Sequence, residues 1–341
     1  MLELTPDNVI LYLRERGWIG DGPASAELLS GGVSNQVLRV TTPAGLIVVK
    51  QSRPQLRTRD AWFSDLNRIH REQEVMQALH SYLPDVMPKV LQVDRDNFVY
   101  TMSHAPLDAT VWKADLLAGW MDVRLGGAIG KVLGQMHQVS ADRRADFAGF
   151  ADRAVYVQLR VDPFYRRVQE RRPKVAHAIE PIIEEMMTRQ DALCHGDYTP
   201  KNILVDASGF TLVDYETAHL GDPTMDLGLF LAHLTLKAVR APDRLAEFLA
   251  LMRAFWRGYC ECVSFQPHAD LERRGVRHLG VCLLARVDGT SPIDYLPSDA
   301  QRDIVRRLGS AILLDGLDSW NGVWEWCEAT LTPSLRDLVP G

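Results

Sequence analysis

The stretch Leu193 to Glu216, LCHGDYTPKNILVDASGFTLVDYE, restricts the fold of this chain more than any other. A polar loop carries Asp197 and Asn202, five residues apart. It leads into the apolar run Ile203 to Val205, a turn spelled DASG, and a second apolar run, Phe210 to Val213, that ends on Asp214-Tyr215-Glu216. Two β-rich runs around a turn of Asp, Ser and Gly predict a hairpin. A hairpin carries Asp214 back beside the loop where it began. Side chains alternate along an extended strand, so Glu216 shares the face of Asp214 if the chain stays extended.

Such a set suits phosphoryl transfer from ATP to a hydroxyl, which needs a positioned nucleophile, Mg²⁺ on the phosphates and supplied positive charge. Asp197 can accept the hydroxyl proton. Asn202 can offer an amide oxygen to Mg²⁺, and Asp214 a carboxylate across the phosphates. Taken singly, each residue reads as an ordinary turn or strand end. The ordered set HGDxxxxN followed by LVDYE is far more specific. His195 reads as a buried residue bracing the loop.

The rest of the chain divides in character. Thr5 to Arg16 has a cap, an early proline and apolar content suited to a short helix. Val37 to Thr41 and Leu46 to Lys50 flank TPAG and predict a hairpin. Arg59 to Leu79 has helical spacing, and two further strands bracket DRDN. After Ala105 the pattern turns helical: Leu116 to Val139 reads as one long helix, followed by Glu180–Arg189, Leu227–Val239, Arg244–Cys260, Leu271–Leu284 and Asp299–Leu314. The expectation is an α+β chain of two domains, a β-rich lobe over 1–105 and a larger, mainly helical lobe over 106–341.

Composition bounds the partners. With 341 residues and 46% hydrophobic content there is material for two cores. A net charge of -6 disfavours general nucleic-acid binding. The five cysteines are scattered and read as reduced thiols of a cytoplasmic protein. The first residues do not read as a signal peptide, and no apolar run is long enough to span a membrane.

HGDYTPKN with LVDYE resembles the aminoglycoside phosphotransferase and choline kinase group, small-molecule relatives of the protein kinases. The likeness extends over most of the chain: LLSGGVSNQVLRV resembles the group's nucleotide loop, VVK its phosphate-lysine strand, and HREQEVMQAL the helix with the lysine's glutamate partner. The resemblance implies a protein-kinase-like two-lobe fold, a catalytic base at Asp197, Mg²⁺ ligands at Asn202 and Asp214, and an ATP-phosphate grip at Lys50. Between Glu72 and Glu74, three- and four-residue spacing puts Glu72 on the apolar face of Val75, Met76 and Leu79, so Glu72 is the expected partner. Gly31 and Gly32 would let backbone approach phosphate, with Ser34 and Asn35 as side-chain donors. Ser103 and Ala105 would meet adenine through main-chain groups, and Met102 would line that pocket. In GDPTMDLG, Asp226 reads as an organiser of backbone and Asp222 as the start of a turn.

Within the group, VVKQSRPQLR and DYE look closest to methylthioribose kinases, which favours Glu216 as a second acidic metal ligand. RHLGVCLLARVDG is similar to an arginine-bearing helix that contacts the sugar there, so Arg277 and His278 are the expected acceptor contacts. The residue at Asn202 and the loop SGGVSN depart from that enzyme, which leaves the substrate open. From residue 141 on, acidic residues only slightly outnumber basic ones. A polycationic acceptor wants a strongly acidic lobe, so a neutral sugar or sugar-like alcohol suits better than an aminoglycoside; the alternative reading is an aminoglycoside or amino-alcohol kinase of the choline or homoserine type. A protein kinase is disfavoured, because Asp214-Tyr215-Glu216 stands where Asp-Phe-Gly would and Ala-Pro-Glu is missing. A catalytically dead nucleotide-binding module would not explain the retained set of Lys50, Asp197, Asn202 and Asp214.

Overall fold

The computed structural model of the chain describes residues 2–29, 35–53 and 64–332. These form two compact units, Met1–Thr110 with Ile203–Ala218, and Val111–Asn202 with His219–Gly341. The division is not a single cut near residue 105. The hairpin after Asn202 groups with the first unit, because its end is tied to helix and sheet there by the ion pairs described below.

In the first unit, five antiparallel strands form one sheet: β1 (Ser25–Leu28), β2 (Asn35–Thr42), β3 (Gly45–Ser52), β4 (Val90–Asp94) and β5 (Val99–Ser103), in the order β1-β2-β3-β5-β4. The turn between β2 and β3 needs Gly45, whose φ of 126° is open to glycine. Helix α1 (Val9–Glu15) starts later than the sequence predicts, because Asn8 Oδ1 accepts the Thr5 amide in a turn ahead of it. Its Val9, Tyr12 and Leu13 join Leu38, Val40, Val49 and Val99 in one core cluster. Helix α2 (Arg68–His80) buries Ile69, Val75, Met76 and Leu79 on one stripe, and Glu72 lies buried with them. Residues 54–63, where the sequence starts this helix, lie outside the described residues.

The second unit is helical. The stretch expected as one helix from Leu116 is two, Trp112–Ala118 and Val123–Asp142. Gly119 at φ 93° ends the first in a left-handed cap, and the Asp122 carboxylate caps the second through the Arg124 amide. The glycines that follow serve close packing. A Cβ on Gly130 would fall 2.0 Å from the Phe255 carbonyl, and one on Gly258 would fall 2.1 Å from that of Gly127. Helix Val123–Asp142 therefore lies backbone to backbone along Leu245–Cys260. Thr224–Arg240 packs on His268–Asp288, which also packs on Asp299–Leu314. Elements that escaped the sequence reading include β1, the helix Trp320–Leu331 and a π-helical segment, Val157–Arg166, with Pro163 inside it. Ala192–Cys194 pairs with His219–Gly221 as a short antiparallel ladder on either side of the key loop. Among the described residues, no helix is long and apolar enough to cross a membrane.

Candidate active site

The candidate residues are spread over both units. In the first, β3 delivers Lys50 and α2 delivers Glu72, because the apolar stripe of α2 turns that glutamate inward. Lys50 Nζ donates to Glu72 Oε1 at 2.7 Å and to Asp214 Oδ1 at 2.8 Å. Lys50 and Glu72 are almost fully buried, while Asp214 keeps 22% of its side chain exposed. Burial alone would drive the Lys50 pKa down, but Asp214 and then Glu72 outweigh it and hold the ammonium charged well above the ordinary lysine value. Burial pushes Glu72 up, against the pull of Lys50. Glu74 points outward and pairs with Arg95.

The hairpin Ile203–Val205/Phe210–Leu212 brings Asp214 to Lys50. Asp214 adopts φ 75°, a left-handed backbone that costs a non-glycine residue about 1–2 kcal/mol. The conformation is held from both sides. The Tyr215 amide donates to Glu72 Oε1 at 3.2 Å, and Glu216 Oε2 accepts from Asn35 Nδ2 at 2.8 Å and from Arg68 Nε at 3.2 Å. Arg68 is itself fully buried and also donates to the carbonyls of Arg53, Ser64 and Asp65. Glu216 is thus engaged in bracing the segment, with Asn35 beside it. Arg68 was not foreseen, because a lone arginine at a helix start carries no sequence signal.

In the second unit the loop after Ala192–Cys194 is organised from below. Asp226, fully buried at the first turn of Thr224–Arg240, accepts the amides of His195 at 2.7 Å and Gly196 at 2.8 Å. Burial opposes its charge, but the hydrogen bond and charge of His137 and the contacts of His195 hold its pKa below the usual carboxylate value. Buried His195 takes the Asp197 amide on Nδ1 at 3.2 Å. Asp222 begins the following turn by accepting the Thr224 amide and hydroxyl, and it pairs with Arg274 at 2.7 Å.

The Asp197 carboxylate is gripped on both oxygens. Arg160 reaches Oδ1 at 2.6 Å, while Lys201 reaches Oδ2 at 2.8 Å and Asn202 Nδ2 reaches it at 2.9 Å. Asn202 Nδ2 also donates to the Asp197 carbonyl at 2.9 Å, which leaves the amide oxygen as the atom for a cation. Arg160 is fixed in turn by donating to the Gly196 carbonyl at 2.9 Å. The π-helical turn that presents it was not legible. Lys201 was missed too, although its place four residues after Asp197 in HGDYTPK is a signal that could have found it. Among the described residues no group of three or more His, Cys, Asp or Glu side chains forms an all-protein metal cage.

Other expected residues fall in different places. Gly31, Gly32 and Ser34 lie outside the described residues. Met102 is buried and its Sδ accepts from the Tyr100 hydroxyl at 3.7 Å. Ser103 pairs its amide and hydroxyl with Lys89, and the Ala105 carbonyl bonds to the His104 ring. His278 is 1% exposed and bonds through Nδ1 to the Tyr165 hydroxyl at 2.7 Å, so it belongs to the interior. Arg277 pairs with Glu185 at 3.3 Å and lines a pocket of about 430 Å³ with Arg189, Asp270, Arg273 and Arg274. The arginine of this helix that bears on Asp197 is Arg286, which shares the Phe164 ring with Arg160, at 5.9 and 5.6 Å from its centroid. Arg286 was not singled out in the sequence, because the element it faces is the π-helical segment and periodicity alone does not reveal that segment.

Comparison with known proteins agrees with this arrangement. A family model described as "Phosphotransferase enzyme family" matches residues 25–262. A methylthioribose kinase of Exiguobacterium sibiricum is 23% identical over 290 residues, 74% of this chain and 72% of the relative. Among solved structures, amicoumacin kinase hAmiN in complex with AMP-PNP, Ca²⁺ and Ami superposes with a TM-score of 0.59 at 13% identity, covering 97% of both chains. A choline kinase from Cryptosporidium parvum Iowa II gives 0.53 at 10% identity, covering 97% of this chain and 95% of that one. At those identities the structures establish a shared kinase-like fold.

Proposed function

The chain belongs to the phosphotransferase enzyme family, and from that premise we propose that it transfers the γ-phosphoryl group of ATP to a hydroxyl of a small, sugar-type acceptor. One observation carries the reading: a buried lysine clamped between Glu72 and Asp214, at 2.7 and 2.8 Å, is a preorganised cation on the strand that resembles a phosphate grip. A site of this kind works by position and electrostatics, with little covalent chemistry asked of the protein. Lys50 holds the donor phosphates. Asp197 orients the acceptor hydroxyl and takes its proton as the O–P bond forms. Arg160 and Lys201 keep that carboxylate in place, and Asp226 holds the loop beneath it.

A divalent cation, Mg²⁺ by the family resemblance, neutralises charge on the phosphates when bound. Asp214 suits it with a part-exposed carboxylate and Asn202 with an amide oxygen, both hard oxygen donors. Glu216 serves by bracing. The methylthioribose kinase relative supports a sugar. The cations around Asp197 count against an aminoglycoside or an amino alcohol, since a positively charged acceptor would meet like charge there.

The test is transfer of labelled γ-phosphate from ATP across a panel of sugars, amino alcohols and aminoglycosides. Product is expected on sugars, and it should disappear in Asp197→Asn. ATP turnover confined to aminoglycosides would replace the acceptor class. No transfer to any acceptor, with nucleotide affinity untouched by Lys50→Met, would end the kinase reading.

A further inference from the structure

Asp197 has a cation near it beyond the two that pair with it, since Arg286 bears on its carboxylate. Arg160 and Lys201 are paired with it. Three further cations in the same unit are not paired with anything acidic among the described residues. Lys237, on helix Thr224–Arg240, is 1% exposed, and its ammonium has only the His233 carbonyl at 3.1 Å. It lies 5.3 Å from the centroid of the Tyr295 ring, and Lys113 lies 5.6 Å from the same centroid. Arg286 makes no side-chain hydrogen bond to the described residues, and its buried Nε has no partner. The Tyr295 hydroxyl is also buried without one. Lys237 further lines a cavity of about 210 Å³ with Arg240, Arg244 and Phe248.

A buried charge is ordinarily paired, and an orphaned buried donor costs about 1–3 kcal/mol. Of the three cations Lys237 is buried, while Arg286, Lys113 and the Tyr295 phenol keep part of their surface exposed; together they have the composition of an anion site that a ligand can reach. We propose that the acceptor is a hydroxyl compound bearing an anionic group, a carboxylate or a phosphate, held by Arg286, Lys237 and Lys113 with the Tyr295 hydroxyl donating. The proposal rests on the phosphotransferase reading of Asp197 and narrows its acceptor from a sugar to an acidic one. Lobe-wide charge pointed to a neutral sugar, but recognition depends on what faces the ligand. The nearby groups agree. Burial, Lys113 and Arg286 hold the Lys237 pKa down to about 7, and His233 is held well below its ordinary value by burial and by Arg286, Lys237, Lys201 and Lys113. The carboxylates that bear on the cluster are Asp197 on Arg286 and Asp294 on Tyr295, and neither forms an ion pair with the three cations.

A second role for the same cations would be to stabilise the phosphoryl group in transfer. The two roles separate kinetically. Acceptor recognition appears in KM for the acceptor, and transition-state stabilisation appears in kcat for every acceptor alike.

The experiment uses the full chain. Inorganic phosphate and acetate are titrated calorimetrically, and ADP release is followed with ribose, ribonate and ribose 5-phosphate. Wild type should bind at least one bare anion, and Arg286→Gln/Lys237→Met should weaken it about tenfold or more, while Lys50→Met should not. The acidic sugars should exceed ribose in kcat/KM, and the double variant should remove that preference through KM while KM for ATP stays within about twofold. The relative rates of ribonate and ribose 5-phosphate say which anion is meant. No binding of either bare anion, or anion binding unchanged in the double variant, overturns the proposal. Anion binding without turnover of any acceptor supports the subsite and counts against the transfer reading. Turnover that favours ribose supports transfer and overturns the subsite.

Discussion

Two lysines, both almost fully buried, stand in opposite circumstances. Lys50 lies between Glu72 and Asp214 and is held charged well above the ordinary lysine value. Lys237 has a backbone carbonyl, an aromatic ring and two other cations for company, and its pKa falls to about 7. The first is complete within the protein and reads as a part already set for work. The second is incomplete, and what completes it must come from outside. Buried charge therefore shows function by whether it is balanced as well as by where it lies.

The comparison breaks most visibly on stability. Lys50→Met should leave Glu72 and Asp214 facing each other, and breaking a buried pair from one side costs about 3–5 kcal/mol. Denaturant unfolding measures this, and a loss under about 1 kcal/mol would mean the clamp is not a balanced pair. Lys237→Met should leave stability near pH 7 unchanged or raised, since it removes a buried charge that has no counter-charge.

Next in size is the chemistry. Asp197→Asn should lower kcat by about 10² or more, the usual share of general base catalysis, while nucleotide affinity holds. Steady-state rates with a titration of a non-hydrolysable ATP analogue check it, and near-normal turnover would remove Asp197 from the role.

The smallest effect sharpens the contrast by sign. The folded pKa of Lys237, about 7, lies below that of an unfolded lysine, so between those values the unfolded chain binds the extra proton and stability rises with pH. Lys50 has the opposite shift, so its contribution is present below the unfolded lysine value and is lost only above it. Wild type minus Lys237→Met should therefore gain about 2 kcal/mol between pH 7 and pH 9. A flat difference would mean that Lys237 is not held near neutrality.

Much of this was legible in the sequence for a physical reason. The hairpin after Asn202, the strand ending on Lys50 and the inward face of Glu72 follow from local alternation and helical spacing, which sequence encodes directly. Four of the five strands of the sheet follow from the same signals, and β1 does not. What could not be read depends on elements meeting across the chain. Arg160 sits on a π-helical turn, Arg286 lies nine residues past Arg277, and Lys237 sits inside a helix that reads as core. None of these has a spacing rule, and each matters only through what faces it. Glu216 illustrates the same limit: its hydrogen bonds to Arg68 and Asn35 join residues far apart in the chain, and no local spacing announces them.

The most direct measurement is a crystal structure of the full chain with an acidic sugar acceptor bound. The account predicts anion oxygens at hydrogen-bond distance, about 3 Å, from Arg286 and from the Lys237 ammonium, with the acceptor hydroxyl on Asp197. An anion seated only on Lys50, or Arg286 and Lys237 neutralised by carboxylates of the chain itself, would contradict it.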